Sequence, residues 1–270
     1  MMLLAAIAAW SLLAFGFFLF VIQLMAHEIG FWIGRRHAGR GSVASEGVGV
    51  LVTGMLGLLA FVLALTLSFA SERFTDRRAA TLSEANALGT AWLRAKAIGQ
   101  PRGDEIARLL EQYTTLRMAF VSADYDPPVL DDLNQRTSAL QSEIWGHLSA
   151  IIREQPNPVT SSLMAALNET FDTTTAERFA FELRLPSQIF WLLIGLTLLG
   201  MGTLGYQLAL RGARVLGLAA LLTLTWTVVI VDIIDLAAAR LGTFRASVVA
   251  YQWTLQGFQS GVTIPPAPSR

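Results

Sequence analysis

The chain has 270 residues, 53% of them hydrophobic and only 15% charged, with a mean hydropathy of +0.50, a departure from soluble-domain averages toward membrane-spanning composition. Zero cysteines exclude disulfides, thiolate zinc sites, iron–sulfur clusters and thiol catalysis together. A formal net charge of zero offers no basic surface for nucleic acid, so no nucleic-acid partner is expected.

A hydrocarbon core of about 30 Å needs roughly 20 residues of helix to cross it. Four segments meet that length, near 3–25, 47–70, 187–210 and 213–236, so the expected partner of the chain is a lipid bilayer. The first has no basic region before it, is longer than a signal-peptide core, and is followed by no small-residue cleavage site between Glu28 and Arg40, so it reads as a retained anchor. The second runs without proline or a turn cluster into "SFASERFTDRRAATLSEANALGTAWLRAKAI". There Phe74, Leu82, Ala85, Leu88, Gly89 and Trp92 keep an apolar seam beside Glu72, Asp76, Arg77, Arg94 and Lys96. The pattern changes from apolar all round to one-sided near Ser71, as expected where a membrane helix continues into a soluble bundle as a rigid strut. About 50 uninterrupted residues would span roughly 75 Å.

Residues 71–186 hold the water-exposed domain. "DEIARLLEQYTTLRMAF" places Ile106, Leu109, Leu110, Tyr113, Leu116 and Phe120 at helical steps, and "YDPP" ends that helix. Leu133, Leu140, Ile144, Leu148, Ile151 and Ile152 repeat the pattern until Pro156 and Pro158 break it, and a shorter helix is expected over about 159–170. No stretch alternates with period two, so the fold class is all-α: 1–70 carries two spans, 71–186 a helical bundle, 187–236 two further spans, and 237–270 a tail with a short helix.

No enzyme constellation emerges. "GMGTLG" matches a dinucleotide-binding glycine pattern but lies inside an apolar span with no strand before it, and there is no P-loop, HExxH or GxSxG. The three histidines, His27, His37 and His147, are scattered. His27 and Glu28 adjoin at the end of the first span, where helical neighbours diverge by about 100° and cannot share one metal. No metal, no cofactor and no catalytic residue is expected.

The block "GLLAFVLALTLSFASERFTDRRAATLSEANALGTAWLRA" resembles the signature of the bestrophin-like family, with an apolar span ending in "LLAF", then "RF", paired arginines and "EANAIGTAYLR". The resemblance continues at "ELRLPSQIFWLLIGLTLLGMGTLGY" and at "DLAAARLGTFRAS", where Ala237, Ala238 and Ala239 replace the family's Asp-Arg-Pro. It covers nearly the whole chain. Bestrophins are oligomeric anion channels, so the resemblance implies a homo-oligomer, small anions as the conducted species and a pore around the second span.

Phe61, Leu65 and Phe69 stand at i, i+4 and i+8 on that span, hence on one stripe, and in a ring of copies they would form a constriction that gates by dewetting, which is similar to the apolar neck of bestrophins. The same stripe could instead face lipid or another helix. Ala60, Ala64 and Ser68 beside it form a small-residue ladder suited to close packing, and the glycines of spans two and three also read as packing positions. Asp232 and Asp235, near the end of the fourth span, call for a partner such as Arg240, Arg245, Arg73, Arg77 or Arg78, because a carboxylate in lipid is costly unless paired or wet. Glu84 and Asn86 are expected to tie helices by hydrogen bonds.

Two functions fit these features. One is an oligomeric anion channel; the other is a membrane-anchored scaffold that binds a protein through the bundle. For orientation, Arg35, Arg36 and Arg40 after span one and Arg211 and Arg214 after span three place those short loops in the cytoplasm and the bundle outside a bacterial inner membrane, in the periplasm. Arg73, Arg77, Arg78, Arg178, Arg184, Arg240 and Arg245 on the other side, and the cytosolic location of the equivalent bestrophin region, oppose this assignment.

Overall fold

The computed structural model describes residues 12–38, 42–99, 101–183, 186–240 and 242–263, with the side chains of 42–46 excepted. Every regular element among the described residues is an α-helix: α1 Leu12–His37, α2 Ser42–Ile98, α3 Pro101–Ser122, α4 Pro127–Glu154, α5 Pro158–Glu182, α6 Ser187–Leu210, α7 Leu216–Ala237 and α8 Val249–Ser260. Four helical stretches are long and apolar enough to cross a membrane, in α1, the first part of α2, α6 and α7. The chain divides into two compact units, one of residues 1–74 and 184–244, the other of 75–183 and 245–270.

Breakers in the sequence set most boundaries. α2 ends at Gly99, whose φ of 61° is a conformation that L side chains rarely adopt, and its N–H bonds back to the Lys96 carbonyl. Pro127 and Pro128 open α4, and Pro158 opens α5 behind a reciprocal cap in which Asn157 accepts from the Thr160 N–H and Thr160 Oγ1 accepts from the Asn157 N–H. Two helices exceed their expected lengths. α1 reaches His37, so Arg35 and Arg36 lie in its last turn rather than in a loop. α5 continues to Glu182, through "TTT", because Thr170, Thr173 and Thr175 each donate a hydroxyl to the carbonyl four residues earlier, which satisfies the hydroxyl without breaking the helix.

In the first unit, α1, the first part of α2, α6 and α7 share a core. Phe15 and Leu19 meet Leu59 and Leu63, Leu193 and Met201, and Trp226, Ile230 and Ile233. Between α1 and α6 the backbones approach so closely that a Cβ at Gly30 would overlap the Gly202 carbonyl, and one at Gly205 the His27 carbonyl. Gly34 meets Tyr206 in the same way. Glycine does this where apolar attraction is missing, since lipid is as apolar as the side chains and only close contact distinguishes helix from solvent.

In the second unit, the rest of α2 packs with α3, α4, α5 and α8. Leu88 and Trp92, Ile106 and Leu110, Ile144 and Leu148, Leu163 and Leu167, and Tyr251 are all buried. The Trp92 indole stacks on Phe258 of α8 with centroids 4.9 Å apart and donates its N–H to Glu111 at 2.9 Å. Helix α8, the short helix expected in the C-terminal segment, packs into this bundle through Trp92 and Phe258.

The contact between α1 and α6 can be tested directly. Gly205→Ala should destabilise the detergent-solubilised protein by about 1–3 kcal/mol through overpacking, while Gly195→Ala on the same helix, where a Cβ meets nothing within 4 Å, should leave the unfolding midpoint unchanged. Equal effects would mean that helix propensity rather than contact decides.

Candidate functional site

The apolar stripe of α2 is built by helical spacing alone. Phe61, Leu65 and Phe69 are 64%, 45% and 47% exposed, while Leu59, Leu63, Thr66 and Ala70 on the opposite side are buried against the rest of the first unit. Ala60, Ala64 and Ser68 lie on the uncovered side too. The stripe is thus free to meet lipid or a further polypeptide.

Asp235 and Asp232 have different surroundings. Asp235 is buried and accepts the Thr243 N–H at 3.0 Å, the Thr243 hydroxyl at 2.8 Å and the Phe244 N–H at 3.2 Å. It organises the turn after α7. Gly242 is required there, with φ of 72°, because any Cβ would overlap the Asp235 carboxylate. Asp232, three residues earlier, is exposed.

The second unit holds a buried polar cluster that sequence reasoning found only in part. Arg117 of α3, fully buried, lies between two equally buried carboxylates. Its Nε donates to Glu84 of α2 at 2.7 Å and its Nη2 to Glu177 of α5 at 2.7 Å, and the guanidinium face rests on the Phe120 ring at 4.4 Å. Tyr251 of α8 donates its hydroxyl to Glu177 at 3.0 Å. A donor chain reaches Glu84 from the other side: Gln141 donates to the Tyr113 hydroxyl at 2.7 Å, Tyr113 meets Thr174 at 2.8 Å, and Thr174 donates to Glu84 at 2.9 Å. Each of the five helical segments of the unit among the described residues contributes a side chain. Of the residues singled out from sequence, Glu84 enters this cluster, Arg77 is fully buried, and Asn86 and Arg78 are exposed. Arg117 lies in a segment whose pattern reads as ordinary amphipathic helix, Glu177 lies beyond the expected end of its helix, and nothing in their spacing marks them.

Electrostatics follow from burial. Removal from water, together with the nearby Glu84 charge and a hydrogen bond to Glu84, pushes the Glu177 carboxyl up to about 8 despite Arg117. Burial opposes the Arg117 charge, but the two carboxylates outweigh it and raise its pKa. Burial and Glu84 also raise Tyr251, whose hydroxyl stays a donor.

Two expectations follow. The folded bundle keeps the Glu177 proton up to about pH 8, whereas an unfolded carboxyl loses it near its ordinary value of 4.5. The native state therefore binds more protons across that window, and stability should fall as pH rises through it. Unfolding midpoints at pH 5 and pH 8 should show the decline in the wild type and a smaller one in Glu177→Gln; identical declines would exclude Glu177 as its source. Arg117→Met should cost about 3–5 kcal/mol, since it strands two buried acids, read as loss of helical circular dichroism at lower denaturant.

A family model described as the Bestrophin-like domain matches residues 21–251, the greater part of the chain. No curated protein and no solved structure matches. The matched span takes in the α2 stripe and every member of the buried cluster, from Glu84 to Tyr251, and the chain belongs to the bestrophin-like family.

Proposed function

We propose that the protein forms a homo-oligomeric anion channel in which α2 helices surround an axis and Phe61, Leu65 and Phe69 make the narrow apolar part of the pore. The observation that carries this reading is the uncovered face of α2. Leu58, Phe61, Leu65, Phe69 and Glu72 are exposed at steps of three and four in its first part, and Thr75, Ala79, Leu82, Asn86, Thr90 and Leu93 continue the same spacing beyond it. A seam of period about 3.5 is what helices present to copies of themselves. Lipid contact needs no such repeat, and no such continuation into the polar bundle. Asn86, exposed within the seam, supplies a polar ring rather than an internal hydrogen bond.

Three stacked apolar layers exclude water and so oppose ion passage until they widen. Replacing Phe61, Leu65 and Phe69 together by alanine should raise anion conductance in reconstituted bilayers severalfold, with the oligomer unchanged in mass. A stable monomer in detergent, or unchanged conductance in an intact assembly, would overturn the channel and favour the scaffold reading.

Orientation is proposed from one end of the first unit. Arg35 and Arg36 close α1, Arg211 and Arg214 follow α6, and these sites lie together, since Arg214 pairs with Glu28 at 3.5 Å and stacks over Phe31. Basic short loops remain cytoplasmic, which puts the bundle in the periplasm. A reporter active only after export, fused at Pro127, should be active; activity of a cytoplasm-only reporter there would reverse the assignment.

A further inference from the structure

Apart from the buried cluster and the α2 stripe, the second unit carries a group of side chains with metal-ligating chemistry. Glu143 and His147 are four residues apart on α4 and share a face, and Glu105 comes from the first turns of α3, which packs against α4. One ligand atom from each lies within 4.8 Å of the others. We propose that Glu105, Glu143 and His147 bind a divalent transition-metal ion of the zinc class on the bundle surface.

The geometry needs little adjustment. Ligand bonds of about 2.0–2.2 Å put three atoms on one ion roughly 3–3.5 Å apart, so side-chain rotation of about 1–2 Å closes the set without moving the helices. Glu105 and His147 are half-buried and Glu143 is exposed, which leaves the remaining coordination positions to water. A second observation points to a ligand at His147, whose Nδ1 is buried and has no hydrogen-bond partner among the described residues. A nitrogen withdrawn from water needs either a donor, an acceptor or an ion.

Charge supports the same conclusion. Arg108 holds both oxygens of Glu105, with Nε at 2.9 Å from Oε2 and Nη2 on Oε1. Glu143 and Glu111 lie near enough for their charges to act on the same guanidinium. A divalent ion adds the charge that is lacking and displaces Arg108 from Glu105. Imidazole selects against magnesium and calcium, which prefer oxygen alone, and in favour of the borderline metals.

The test uses the full chain in detergent micelles, purified without a histidine tag and stripped of metal, and titrated calorimetrically with Zn²⁺. One Zn²⁺ should bind per chain, with Mg²⁺ giving no comparable binding. His147→Ala, Glu143→Gln and Glu105→Gln should each weaken it at least about tenfold, while His27→Ala leaves it unchanged and Arg108→Gln tightens it. Co²⁺ should give visible ligand-field bands that change in His147→Ala. Circular dichroism of each variant checks that the bundle is intact, as expected for side chains at the surface. Absence of saturable Zn²⁺ binding, or binding unaltered by His147→Ala and Glu143→Gln in folded protein, overturns the proposal.

Discussion

A backbone in lipid has no water to bond, so each of its polar groups must be satisfied within its own helix. Once that condition is met, a helix that leaves the lipid has no reason to end. Helix α2, 57 residues long, follows this logic: its hydrogen bonds are the same throughout, and only its side chains change. The first part presents Phe61 and Leu65 outward; the later part presents Asn86 and Thr90 and buries Glu84. Both compact units draw on this one element, and each solves a different packing problem on it.

In the first unit the problem is the absence of a hydrophobic driving force. Helices α1 and α6 answer it with glycines that bring carbonyls and Cα atoms into contact, which leucine-rich surfaces would prevent. In the second unit the hydrophobic effect is available, and its apolar residues are buried in the usual way, yet the centre is a guanidinium between two carboxylates. Such a cluster contributes less net stability than an apolar core of the same volume, because desolvation of the charges offsets their attraction. What it supplies is geometry. Arg117 accepts only positions of α2, α3 and α5 that bring both acids to its fork, and Tyr251 extends the same requirement to α8. A cluster that draws on every helical segment fixes their registers together, as apolar contacts, which tolerate sliding, do not.

The two faces of α2 then divide the labour. Its buried side is committed to the chain's own cores; its uncovered side, spaced at threes and fours, is where function is proposed. One helix can serve different neighbours on two faces because residues three and four apart share a side.

Sequence alone determined the elements: all-helical class, four apolar stretches, an unbroken second helix, proline-set boundaries at Pro127 and Pro158, and family membership through the block around Glu84 and Asn86. These are local properties, fixed by hydropathy and by the backbone chemistry of single residues. It did not determine α5 past residue 170, since Thr173 and Thr175, which argue against helix by propensity, are satisfied by carbonyls one turn earlier. Nor could it select which charges meet. Glu84, Arg117 and Glu177 are separated by 33 and 60 residues in the chain, Asp235 is organised by a turn and Asn86 faces outward, while Glu143 and His147 are legible as a helical pair but gain Glu105 only from a neighbouring helix. Only tertiary structure decides such pairings, because a charge's partner depends on which helix faces are apposed, and many registers satisfy the same apolar pattern.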